Sequence, residues 1–330
     1  EFRRVLFRSE LWYRAAKANK ELIETCEDAG MRLIDDYENL WDAKSYSIAI
    51  DELIFGCRAI RATNSFEKYN FPVGLENCRG GNCPTQTLVD AYELKDSGER
   101  PDKKADYDKN KPYYEGRDPR FEKTIAKNGD TKWPNWNETA LETYQGGANA
   151  EPLSGGTPTG YYLKKYCQTS INTTTAKPTT DNHTWIIYRL GEFYLNYAEA
   201  LFKYLGTAYA TNNEFPIPAN EMVSKTRRRT KVNMPKFPAG LDNKLWWEKY
   251  QNERMVELAF EGHRFWDVRR WKEGDKHFSS IDEMKIYKSG DSYSYRRVTV
   301  NRQWDDKMYF FPIPQSEKAK NPNLTQNPGW

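Results

Sequence analysis

One segment constrains the fold more than any other. From Trp185 to Leu205, apolar side chains recur at three- and four-residue steps: Leu190, Phe193, Tyr194, Tyr197, Ala198, Leu201, Phe202 and Leu205. Glu192, Asn196, Glu199 and Lys203 fall outside the stripe, and Gly206 stands where a helix would stop. The spacing predicts a long helix over 185–205. Small Ala198 and Ala200 among the aromatics predict close packing against another helix.

The same periodicity predicts a helix over 10–28, with Leu11, Ala15, Ala18, Leu22 and Cys26 on one face and Gly30 as its stop. Further helices are expected over 219–230 and 241–261, with Gly262 as a break and another turn or two over 263–271. Extended chain is expected around Leu53–Phe55 and over Tyr161–Tyr166. Residues 1–9 (EFRRVLFRS) show no coherent pattern and are read as a non-native leader outside the fold. The last stretch, 310–330, holds four prolines and reads as an extended tail. Paired helices of this kind suggest hairpins stacked in the tetratricopeptide manner, although no strict 34-residue repeat is present. The expected fold is therefore mainly α, with a helical scaffold over 185–272.

Between residues 64 and 160 the character changes. Gly, Pro, Asn and Asp crowd the segment and regular periodicity fades. An irregular stretch this long inside a compact protein usually carries function or is disordered, and its aromatics argue against disorder. Chemistry that needs special residues is scarce. There are only three histidines, His183, His263 and His277. No His-Glu-x-x-His or Glu-x-x-His pair occurs, nor a Gly-x-Ser-x-Gly elbow, phosphate loop or dinucleotide fingerprint. Fifty basic against 47 acidic residues give no strong field for nucleic acid. The Arg227–Arg228–Arg229 triplet reads as a solvated or ion-paired helix face. No run reaches the length of a membrane helix, and no signal peptide opens the chain. Cys78 and Cys83 in the loop CRGGNC either close a small loop or stand as free thiols, and lack a second pair for zinc. Glu253, Glu257 and Glu261 lie at i, i+4 and i+8. Such a row either supplies catalysis or a metal site, or is answered by basic partners. The nearby Arg254, Arg264, Arg269 and Arg270 favour the ion-pair reading.

Four segments, in order, resemble the SusD/RagB family. They are PTQTLVDAYELKDSGE (84–99) with GRDPRF (116–121); TGYYLKKY (159–166) leading into RLGEFYLNYAEAL (189–201); NERMVELAFEGHRFWDVRRWKEG (252–274); and YFFPIPQSEKAKNPNLTQNPGW (309–330). The resemblance covers residues 10–330 and lacks the family's N-terminal part, with its lipidated cysteine and first helical pairs. It implies tetratricopeptide-like pairs supporting a loop-rich ligand-binding region over 64–160. It also implies a lipid-anchored place on the extracellular face of the outer membrane, and a SusC-like TonB-dependent transporter as partner. The implied ligand is an oligosaccharide or polysaccharide that is captured and delivered without cleavage. A glycoside hydrolase with paired carboxylates and a helical-repeat scaffold that binds protein remain the alternatives. No cofactor is expected, and calcium is the one ion left open.

A sugar presents an apolar C–H face and a rim of hydroxyls, so its site needs exposed aromatics beside Asn, Asp, Gln or Arg on a braced loop. GDTKWPNWNE (129–138) fits that description. Trp133, Trp136 and Tyr144 are the expected stacking faces, with Asp130 and Asn135 as polar partners and Tyr113 and Tyr114 as further candidates. The opposing expectation is that the tryptophans plug the loop onto the core.

Overall fold

A computed structural model describes residues 2–330, with side-chain environments from Ser9 onward. The first helix, α1 (Phe2–Asp28), runs through the segment expected to lack regular structure, since a helix once nucleated extends at little cost. Its inward face is rotated from the expected one. Ala16, Ile23 and Cys26 are buried, whereas Leu11 and Ala18 are exposed. Gly30, with φ +84°, ends the helix as its position predicts.

A short helix α2 (Tyr46–Ala49) leads into strand β1 (Leu53–Arg58), which pairs antiparallel with β4 (Thr184–Arg189). The pairing corrects the helix start expected at Trp185. Thr184–Arg189 is rich in β-branched and aromatic residues and finds a partner strand, so the helix α6 begins only at Leu190 and runs to Leu205. Between these strands lie three short helices, α3 (Ser65–Asn70), α4 (Gln86–Ala91) and α5 (Arg120–Thr124), and a two-residue ladder of β2 (Ile125–Ala126) with β3 (Tyr162–Leu163). The rest of 64–160 is irregular apart from one 3-10 turn at Pro101–Lys103.

α6 packs against α1 on one side and α7 (Ala219–Arg227) on the other. Ala16, Ala198 and Ala200 let the backbones approach, and Leu195, Leu201, Met222 and Val223 fill the space between them. α8 (Asn243–Glu257) is capped by Asp242, whose carboxylate accepts from the Leu245 amide at 2.8 Å. It adds Trp246, stacked on Phe202 at 4.6 Å between ring centres. Gly262 (φ +83°) breaks the chain between α8 and α9 (His263–Trp271). These are helical pairs stacked side by side.

A short α10 (Gly274–Phe278) precedes a hairpin of β5 (Ser280–Ser289) and β6 (Ser292–Asn301), which the periodicity did not signal. Gly290 and Asp291 form its two-residue loop, and the positive φ of Gly290 supplies the left-handed turn. Met284 and Ile286 press the hairpin onto Val89, Tyr161 and Val256. The tail over 310–330 is irregular apart from α11 (Gln315–Lys320).

Candidate functional site

The carboxylate row, Glu253 and Glu257 on α8 and Glu261 in the turn that follows it, has its side chains buried and fully engaged. Arg120 Nη1 donates to Glu253 and Glu257, each at 2.7 Å, and Arg227 reaches Glu253 at 2.8 Å. Arg189 donates to Glu257 and Glu261 at 2.8 Å, and Lys165 to Glu261 at 2.7 Å. The ion-pair reading holds, but its partners come from distant segments rather than from Arg264, Arg269 or Arg270. Arg254, by contrast, turns away to Asp267 at 2.7 Å. Arg227 and Arg229 are buried and ion-paired in this lattice, which bears out the ion-paired reading for those two, while Arg228 between them is exposed. Burial would raise the Glu257 carboxyl, yet Arg229, Arg189 and Arg120 hold it well below the usual carboxylate range. Carboxylates clamped in this way neither shuttle protons nor offer lone pairs to a ligand. The lattice ties α5, β4, α7 and α8 together beneath the loop-rich region.

The loop over 129–141 is built as a plug. Trp133 is 5% exposed and meets Phe71 edge-on at 5.4 Å, among Leu141, Tyr162 and Cys167. This corrects its expected role, because a sealed ring has no face for a sugar. Asp130 is the clasp of the loop: Lys127 reaches it at 2.8 Å and Lys164 at 2.7 Å. Burial pushes the Asp130 carboxyl up, but the two lysines outweigh it and keep it below its ordinary pKa. Trp136 is half-buried against the same cluster and donates its indole N–H to the Ile171 carbonyl at 2.8 Å. Asn135 is exposed, with only its backbone amide tied, to Thr169 at 3.0 Å.

The tyrosines divide likewise. Tyr114 faces inward, stacked on Phe121 at 6.0 Å with its hydroxyl 3.1 Å from that of Tyr161. Tyr113 donates its hydroxyl to the Asp106 carbonyl beneath the Lys104 ammonium. Both stabilise their loop. Tyr144 is half-buried at the hairpin, 5.9 Å from Tyr293, which is itself partly open.

An open aromatic cleft lies elsewhere in the loop-rich region, on α3. A hollow of about 610 Å³ is lined by Ser65, Lys68, Tyr69, Asn77, Cys78 and Arg79. Tyr69 is 52% exposed. Its seat is Gly81, where an added Cβ would come within 2.2 Å of the ring, and the Gly81 amide donates to the Tyr69 carbonyl at 2.6 Å. Only glycine permits that approach. Burial lifts the Cys78 thiol to about 11, so it lines the hollow as a neutral group. Asn77 donates to the Thr173 carbonyl at 2.9 Å, and Asn82 to Asn70 Oδ1 at 2.6 Å. Segment 169–173 therefore braces both this cleft and the Trp136 loop. Across α3, a second hollow of about 250 Å³ is lined by Phe66, Tyr166, Trp185 and Phe260, with Asn82 at its rim. The sequence reading missed Tyr69. The available signal was an aromatic ending a short helix followed by the glycine pair of CRGGNC.

All five cysteines are free thiols, Cys78 and Cys83 included. Among the described residues, no group of three or more His, Cys, Asp or Glu side chains stands together as a metal site. No described helix is long and apolar enough to cross a membrane.

The fold, a stacked-helix frame bearing an irregular region, matches known proteins. The SusD family signature matches residues 52–330, and the chain belongs to that family. A SusD-like protein of Bacteroides fragilis NCTC 9343 superposes with a TM-score of 0.76 at 27% identity, covering 96% of this chain and 63% of its own. A SusD-like carbohydrate-binding protein of the same organism gives 0.74 at 23%, covering 96% and 62%. A laminarin-binding SusD-like protein gives 0.54 at 19%, covering 98% and 62%. The chain thus spans under two thirds of the length of these relatives. No curated protein sequence matches.

Proposed function

We propose that the protein captures oligosaccharide or polysaccharide at the cell surface and passes it to a SusC-like TonB-dependent transporter without cleaving it. In this reading it sits on the extracellular face of the outer membrane, held there by a lipid anchor. The observation that carries the reading is the Tyr69 ring, seated flat against Gly81 at the mouth of a polar cleft. A rigid aromatic with one face open suits the apolar face of a sugar, and Asn77 and Ser65 suit its hydroxyls. Trp136, Asn135 and Tyr144 are kept as outlying contacts for a longer chain. The names of the relatives, one carbohydrate-binding and one laminarin-binding, agree with this class of ligand. Binding needs no metal in this reading.

Stacking of one aromatic contributes about 1 kcal/mol beyond area burial, which suits a protein that must release its cargo. The test is isothermal titration of the wild type and Tyr69→Ala against a panel of polysaccharides, with and without EDTA, alongside a reducing-end assay. Binding weakened in Tyr69→Ala, unaffected by EDTA and free of new reducing ends is the expected result. New reducing ends would instead make the protein a hydrolase, and the absence of heat with any glycan would favour a protein-binding scaffold.

A further inference from the structure

We infer that the Tyr69 cleft selects anionic glycans, in which carboxylate or sulfate groups decorate the sugar. The inference rests on the glycan reading of that cleft. Two cations line it, Lys68 on α3 and Arg79 on the glycine-rich loop, on either side of the Tyr69 ring in sequence. Arg79 is exposed and Lys68 half-buried, and neither makes an ion pair among the described residues. That sets them apart from the cations of the frame, such as Arg120, Arg189, Arg227 and Lys165, which are all sealed into carboxylate pairs.

The neighbouring acids do not answer them. Glu67 is buried on the opposite face of α3, where its carboxylate meets His183 at 2.8 Å and the Gln168 amide at 2.8 Å. Glu76 accepts from the Thr175 amide at 2.8 Å, and its hydrogen bonds to Thr175 hold it below its ordinary pKa. The acidic side chains nearest in sequence are thus turned into protein contacts, while both cations are left facing an open hollow beside a stacking ring. A neutral sugar needs donors and acceptors there but no charge. A uronate or sulfate ester gains a charge-assisted bond from each cation while its ring lies on Tyr69.

The experiment compares polygalacturonate, chondroitin sulfate and neutral dextran, by affinity electrophoresis and titration calorimetry. The proteins are the wild type, Tyr69→Ala, the double variant Lys68→Gln/Arg79→Gln, and a control double variant on α1, Lys17→Gln/Lys20→Gln. At least one anionic polymer should bind about tenfold more tightly than dextran, the combined effect of two partly screened charge contacts. That preference should fall to about one in Lys68→Gln/Arg79→Gln, shrink as salt rises, and persist in the α1 control. Polygalacturonate against chondroitin sulfate separates the carboxylate from the sulfate source. Equal binding of dextran and both anionic polymers, or equal loss in the two double variants, would overturn the charge selection while leaving glycan capture standing. Failure of every polymer to bind would overturn both.

Discussion

Replacing Glu261 by Gln tests whether the buried ion lattice is what fixes the frame. The Glu261 carboxylate lies between Lys165 Nζ at 2.7 Å and Arg189 Nε at 2.8 Å, with Tyr37 and Glu257 also facing the cluster. Burial alone would raise its pKa, but Arg189 and Lys165 outweigh burial and bring it to about 2, from an ordinary 4.5. The gap corresponds to about 3 kcal/mol of stability at neutral pH. Because the folded-state pKa is the lower one, this contribution is present in full above the unfolded value. It is lost as the pH falls from about 4.5 through 2. Gln keeps the volume and removes the charge. Lys165, already pulled down to about 8 by burial, then loses the partner that opposes that pull and sheds its proton more readily, which limits the damage. With an unfolding entropy of roughly 0.7 kcal/mol/K for a chain of this size, Glu261→Gln should lower Tm by about 4 °C at pH 7. The difference should close as the pH approaches 2. Tryptophan fluorescence during thermal or urea unfolding, at steps from pH 7 down to pH 2.5, reads both effects. Equal stability at pH 7, or an offset that does not change with pH, would refute the reasoning.

Three further outcomes follow from the same structure. Trp133→Ala opens a cavity beside Phe71 and should cost about 3–5 kcal/mol in urea unfolding, while glycan affinity measured well below the transition stays within about twofold. Gly81→Ala places a methyl group against the Tyr69 ring and should weaken glycan binding about tenfold with little loss of stability; unchanged affinity would show that the seat of the ring is irrelevant. With a thiol reagent such as DTNB, exposed Cys57 should react promptly in the native protein, whereas buried Cys26 and Cys167 should react only on unfolding. Prompt reaction of Cys167 would contradict the packing around Trp133.

The helices were legible in the sequence because a buried stripe at 3.6-residue spacing survives any change of partner. α6, α7, α8 and α9 all fall within the expected segments, and Gly30, Gly206 and Gly262 mark the stops or breaks expected of them. The strand over Thr184–Arg189 was hidden because its assignment depends on pairing with Leu53–Arg58, some 130 residues away. The hairpin over 280–301 was hidden by its many charged and hydroxyl side chains, although Ser-Gly-Asp-Ser between two alternating runs was a readable turn signal. The partners of Glu253, Glu257 and Glu261 were out of reach for the same reason as the strand: local spacing offers Arg264 and Arg270, and tertiary structure delivers Arg120, Arg189 and Arg227. Composition alone does not separate Trp133 from Tyr69. Both are aromatics among polar neighbours in the 64–160 region, and only the apolar wall of Phe71, Leu141 and Tyr162 decides which one is sealed.

The central claim is that a sugar ring rests on Tyr69. A crystal structure of the protein with a bound oligosaccharide, drawn from whichever polysaccharide binds in titration, should place a pyranose face about 4 Å from the Tyr69 ring, with hydroxyls or acidic groups reaching Ser65, Asn77, Lys68 or Arg79. A sugar bound only at the tail or the hairpin, with the Tyr69 cleft empty, would contradict it.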